Sequence, residues 1–221
     1  MNNDFDKKAL LLYGVTDRTW LGGRELSHDV EEALKGGVTM LQLREKEMSD
    51  DAFLAEALEI KALCKKYGLP FIINDNVGIA LACDADGVHV GQSDLDALKV
   101  REKLGSGKII GVSAQTVEQA LLAERSGADY LGVGAVFTTE TKKDADSVPY
   151  DTLKAICAVV KIPVVAIGGI YAQNIENLCG SGIEGVALVS AIFAETDIRA
   201  ASTKMLGLAK NTVSLKKEAE L

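Results

Sequence analysis

One alternation runs the length of this chain: a short apolar, partly β-branched run, then a longer run with helical periodicity. The strand-like runs are residues 10–15, 38–43, 71–74, 87–90, 109–112, 130–133, 164–167 and 185–188. Between them lie helical stretches with recognisable ends. Ser27 is placed to cap a helix over 30–35. Ser49 caps 51–67, which has acids in its first turn and Lys65, Lys66 and Gly68 at its end. Thr116 precedes 117–125, which stops near Gly127. Eight strand–helix units demand a parallel sheet, and eight strands close a barrel. The predicted fold is therefore α/β, a single (β/α)8 TIM barrel. An open doubly wound sheet would need a glycine-rich fingerprint after the first strand. That position reads Gly14-Val15-Thr16-Asp17-Arg18 and lacks it.

Composition bounds the reading. With 221 residues, 48% of them hydrophobic, the chain supports one sizeable core. It is read as one domain over 1–221, with a core at about 9–208 and polar termini. No apolar run of about 18 residues exists, so no membrane span is expected. The polar start, Met1 to Lys8, is not a secretory signal, which points to the cytoplasm. A formal charge of −8 argues against a nucleic-acid partner and leaves anionic small molecules open. A homo-oligomer is compatible with all of this. Cys64, Cys83, Cys157 and Cys179 have no CxxC spacing and read as reduced thiols.

A barrel puts its chemistry at the C-terminal ends of its strands. After strand one, Thr16-Asp17-Arg18 is either a turn or a rim contact. After strand two comes Gln42-Leu43-Arg44-Glu45-Lys46. Its arginine and lysine, two apart on an extended backbone, form a fork and a point charge suited to a diphosphate; the alternative is a solvated charged turn. After strand three, Asn74-Asp75-Asn76 offers hard oxygens for Mg2+ or a cap for a helix over 77–82. After strand four, Asp94 either caps a helix over 95–104 or joins Asp75 as a second Mg2+ carboxylate. His89 reads as a packed structural histidine rather than a general base.

Ser113 ends strand five as a phosphate donor or a cap, with Thr116 the better cap. Strand six leads into Thr139, Thr141 and Lys142 within 138–148, a long polar loop that reads as a lid or as idle surface. Strand seven ends in Gly168-Gly169 before a helix from about Ala172, and strand eight in Val189-Ser190. Loops seven and eight are where barrels commonly hold a phosphate. After about Lys210 the chain reads as a polar tail. No Ser–His–Asp, Cys–His or zinc pattern is present. Two anion regions without a general base favour loss of diphosphate and attack by a second phosphorylated substrate.

In order, Gln42 to Lys46, Asn74-Asp75, His89-Val90-Gly91-Gln92-Ser93-Asp94, Gly111-Val112-Ser113, Phe137 to Lys142, Ala166 to Ile170 and Val189-Ser190 resemble the motifs of the thiamine phosphate synthase family, over about 10–208. The resemblance implies a barrel enzyme that joins hydroxymethylpyrimidine diphosphate to hydroxyethylthiazole phosphate. It implies that Gln42, Arg44, Lys46, Asn74, Ser113 and Lys142 hold the pyrimidine diphosphate, with Arg44, Lys46, Ser113 and Lys142 catalytic. Asp75 and Asp94 would bind Mg2+. Thr139, Thr141, Gly169, Val189 and Ser190 would hold the thiazole phosphate. Leu43, Glu45 and Glu140 count with these substrate-binding stretches. Three positions depart from the family pattern: Asn76 where arginine is frequent, and Ala135 and Thr138. A thiazole tautomerase-like isomerase, a binding-only barrel and a phosphate-binding barrel of tryptophan biosynthesis are the competing readings.

Overall fold

The computed structural model describes residues 5–91, 97–138 and 147–214. Eight parallel strands pair in sequence order and close on themselves: β1 (Leu12–Val15), β2 (Met40–Leu43), β3 (Phe71–Asn74), β4 (Gly87–Val90), β5 (Ile109–Ala114), β6 (Tyr130–Val133), β7 (Val164–Ile167) and β8 (Gly185–Leu188). Closure is set by Leu12 opposite Val186 and Gly14 opposite Leu188. The α-helices among the described residues are α1 (Leu26–Lys35), α2 (Asp50–Tyr67), α3 (Val77–Ala82), α4 (Ala97–Leu104), α5 (Val117–Arg125), α6 (Tyr150–Val159), α7 (Ser190–Phe193) and α8 (Ile198–Ser214), with short 3-10 segments between some of them. The predicted (β/α)8 barrel is the fold observed.

Strand residues alternate between two cores, as the period of two requires. Tyr13, Val15, Met40, Ile72, Tyr130, Val165 and Ala187 belong to the cluster inside the barrel. Leu12, Leu41, Leu43, Phe71, Ile73, Val88 and Val90 join the larger cluster under the helices. Both faces are therefore buried, which is why the strands read as near-continuous apolar runs rather than as alternating ones. The four cysteines are free thiols; Cys64 and Cys83 are buried. No helix among the described residues is long and apolar enough to cross a membrane.

Several element ends differ from the sequence expectation. α1 starts at Leu26, and neither Ser27 nor Glu25, which precedes the helix, gives a side-chain cap. Arg24 sets that start instead: its guanidinium holds Asp29 at 2.9 Å and the carbonyls of Trp20 and Phe193. No long helix follows Ala172. Asn174 accepts from the Tyr171 amide and donates to the Gly169 carbonyl, both at 2.8 Å, leaving only a 3-10 turn at Ile175–Leu178. α8 runs on past Lys210 to Ser214 because Thr212 is buried on its inner face. Ser49 and Thr116 cap α2 and α5 as expected.

Candidate active site

Two charged pairs cross between the ends of β1 and β2. Asp17 Oδ2 accepts from Arg44 Nη1 at 2.8 Å, and Glu45 Oε2 accepts from Arg18 Nε at 2.8 Å. The Arg44 amide also donates to Thr16 Oγ1. Thr16-Asp17-Arg18 is thus a rim contact as well as a turn, with Asp17 capping the 3-10 segment Arg18–Trp20. Since β2 ends at Leu43, strand alternation does not govern residues 44 to 46. Arg44 lies half-buried against Asp17, while Lys46 is exposed. An open pocket between β2 and β3 is lined by Glu45, Lys46, Asp50, Asn74, Asp75 and Asn76, with Met48, Phe53 and Val77 as its apolar part. Leu43 belongs to the outer core and makes no wall of it.

Asn76 caps α3, its Oδ1 accepting from the Ile79 amide at 2.9 Å. That settles the capping alternative and leaves Asn74 and Asp75 for the mouth. Asp75 sits at φ 57, a backbone region costly for any residue with a Cβ. Its amide is held by the His89 carbonyl at 2.9 Å, and its carboxylate accepts from Asn74 Nδ2 at 2.7 Å. The Asp75 carboxylate, with the Asn74 amide beside it, is a hard oxygen donor of the kind Mg2+ takes, one or two protein carboxylates with water and substrate phosphates completing the shell. No cluster of three His, Cys, Asp or Glu side chains able to hold a metal occurs among the described residues. Asp94 lies outside them.

A chain of polar side chains crosses the barrel interior. Gln42 Nε2 donates to Tyr13 Oη at 2.6 Å; Tyr13 and Tyr130 hydroxyls meet at 2.9 Å; Tyr130 Oη meets His89 Nδ1 and His89 Nε2 meets Ser113 Oγ, each at 3.0 Å. One direction uses each hydrogen once: Gln42 to Tyr13, Tyr13 to Tyr130, Tyr130 to Nδ1, and Nε2–H to Ser113. In that direction His89 Nδ1 accepts from Tyr130 and Nε2 donates to Ser113. Burial pushes both tyrosine hydroxyls well above their ordinary range, so they stay protonated donors. Glycine makes room for this chain. A Cβ on Gly111 would lie 2.1 Å from Tyr130 Cζ and 2.5 Å from His89 Nδ1. Sequence reading took His89 as structural and passed over Tyr13 and Tyr130. The available signal was polar rings at inward positions of strands whose neighbours carry glycine.

On the opposite side, β7 is followed by Gly168 and Gly169, at φ 97° and 65°. A Cβ on Gly169 would lie 2.5 Å from the Thr138 carbonyl oxygen, so this glycine also lets the chain after β6 pack across β7. Val189 precedes α7, and Ser190 Oγ meets Tyr171 Oη at 2.7 Å. Tyr171 was missed in the sequence; a tyrosine two residues after a glycine pair carries no signal without the fold. Thr139, Glu140, Thr141 and Lys142 lie outside the described residues. The described chain resumes at Ser147, and the Val148 amide donates to Ala135 at 2.7 Å.

Comparison with known proteins agrees with this geometry. The family model described as thiamine monophosphate synthase matches residues 12–192. The curated thiamine-phosphate synthase of Clostridium tetani is 51% identical over 196 residues, covering 89% of this chain and 94% of that protein. A solved thiamine phosphate pyrophosphorylase from Pyrococcus furiosus matches with a TM-score of 0.87 at 36% identity, covering 94% of this chain and 98% of that one. A geranylgeranylglyceryl phosphate synthase from Thermoplasma acidophilum, at 14% identity and a TM-score of 0.69, shares the fold alone; the match covers 96% of this chain and all of that one.

Proposed function

This chain belongs to the thiamine monophosphate synthase family, and from that premise we propose how its barrel mouth performs the reaction. The chain is a transferase that joins hydroxymethylpyrimidine diphosphate to hydroxyethylthiazole phosphate, giving thiamine monophosphate and diphosphate.

The observation that carries the assignment of roles is the polar chain from Gln42 to Ser113 beside the cations at the end of β2. A pyrimidine is a flat ring with nitrogen acceptors and an exocyclic amine. Gln42 and Ser113 offer it fixed polar ends, and the interior chain orients both. Arg44, Lys46, Asn74 and Lys142 hold the diphosphate. With Asp75 and Asp94 as its carboxylates, Mg2+ would supply neutralisation of the diphosphate charge. The C–O bond breaks with its electron pair leaving on the diphosphate, and the thiazole nitrogen lone pair then forms the new C–N bond. No proton need move, which agrees with a site whose histidine is tied between Tyr130 and Ser113. The work left to the protein is charge stabilisation and alignment.

The thiazole phosphate is assigned to the ends of β7 and β8, at Gly169, Val189 and Ser190, together with Thr139 and Thr141, which the family resemblance adds. The test is steady-state kinetics of Ser190→Ala against Lys46→Ala. The first should raise KM for the thiazole phosphate and the second KM for the pyrimidine diphosphate. Crossed effects would overturn the division of the mouth.

A further inference from the structure

Glu45 follows Arg44 directly, yet its carboxyl turns away from bulk water: the side chain is 3% exposed. Arg18 donates to it through Nε and to Glu56 of α2 through Nη2. Nε–H and Nη2–H lie parallel on one edge of a guanidinium. Two separate carboxylates on that edge are forced side by side. Their remaining oxygens, Glu45 Oε1 and Glu56 Oε2, are both buried and find no hydrogen-bond partner among the described residues. Two carboxylates against one guanidinium would leave a buried surplus charge beside a site built to receive an anion.

We infer that Glu45 and Glu56 share one proton on the edge of Arg18, and that this neutral clamp positions Arg44 and Lys46 for the diphosphate. The proton removes the surplus charge and supplies the donor that the two oxygens lack. The electrostatics agree: burial first, and the nearness of Glu56 second, push the Glu45 carboxyl up to about 7 against the pull of Arg18. The other charged groups around the clamp are accounted for. Asp17 is taken by Arg44. Lys46 and Asp50 line the same pocket, and Asp75 lines it from the end of β3, where its carboxylate accepts from Asn74. Arg18 donates to Glu45, and Glu56 stands beside it on the same guanidinium edge. Below about pH 7 the clamp is neutral. Above it a second negative charge appears next to the cations that receive the diphosphate.

The inference rests on the reaction above, and two readouts keep the two apart. Infrared difference spectra of the wild type should show a protonated-carboxyl C=O band at pH 6 that fades through pH 7 and is absent in Glu56→Gln. In kinetics, KM for the pyrimidine diphosphate should rise several-fold in the wild type from pH 6.5 to 8.5. In Glu56→Gln it should stay flat, because the amide replaces the shared proton at every pH. KM for the thiazole phosphate should follow the same course in both proteins. Absence of the infrared band, or parallel KM profiles in the two proteins, would overturn the clamp. Absence of any product would instead count against the reaction, while the infrared band would still decide the proton.

Discussion

Ser113 and Gln42 stand at the two ends of one polar chain, and Tyr130 is its middle link. Tyr130→Phe removes a hydroxyl that has two buried partners, Tyr13 Oη and His89 Nδ1. Leaving them unpaired should cost about 1–3 kcal/mol, read as a lower urea midpoint, together with a fall in kcat as Ser113 loses its orientation. Unchanged kcat would show that Ser113 does not depend on the chain. Tyr171 makes a separate prediction. Its hydroxyl meets Ser190 Oγ, so the two can serve one phosphate together. Tyr171→Phe should raise KM for the thiazole phosphate roughly tenfold, the size of one hydrogen bond to a charged group, and leave KM for the diphosphate substrate alone. Glu45 gives a pH prediction. Unfolded, its carboxyl releases the proton near the ordinary glutamate value; folded, it holds it to about 7. Between those values the native state binds more protons, so this group's contribution to stability falls as pH rises through that window and levels off above it. Urea midpoints at pH 5 and pH 8 should show the slope in the wild type and a shallower one in Glu56→Gln.

At the scale of elements, strands were legible and helix ends less so. Every strand is buried on both faces, so its apolar run is unmistakable. Helix starts depend on contacts distant in sequence, as where Arg24 reaches the Phe193 carbonyl and α1 begins at Leu26, one residue before the serine that looked like its cap. The ends of β1 and β2 show the same limit. Gln42, Arg44 and Lys46 were readable from strand-end position, but Arg18 and Glu56 come from a turn and a helix 38 residues apart. No local pattern announces them. The junction of β5 and β6 is sensitive to volume at Gly111. Gly111→Ala would drive a methyl into Tyr130 and His89, and should cost about 3 kcal/mol or more. Thermal unfolding of that variant should show it, and a near-native midpoint would mean the interior chain can shift aside.

The whole molecule divides its mouth into two halves. β1 to β3 bring the cations, the asparagine and one carboxylate; β7 and β8 bring glycine backbone and a hydroxyl pair; the interior chain joins β2 to β5 beneath them. The barrel order alone places these groups around one opening, so a reading of strand ends brings them together before any side chain is placed. What it missed lies inside the barrel, where Tyr13, Tyr130 and His89 look like core, and behind the rim, where Arg18 grips Glu56. In the proposed reaction this mouth couples the two phosphorylated heterocycles, and Mg2+ held by its carboxylates would ease the departure of diphosphate. The most direct measurement supplies both substrates to the wild type and to Asp75→Ala and follows thiamine monophosphate, with Mg2+ and with excess chelator. Mg2+-dependent product is expected from the wild type, with a loss of turnover of about 100-fold or more in the variant, the scale of a lost electrostatic contact at a reacting centre. Equal turnover in chelator, or full activity in the variant, would contradict the proposal.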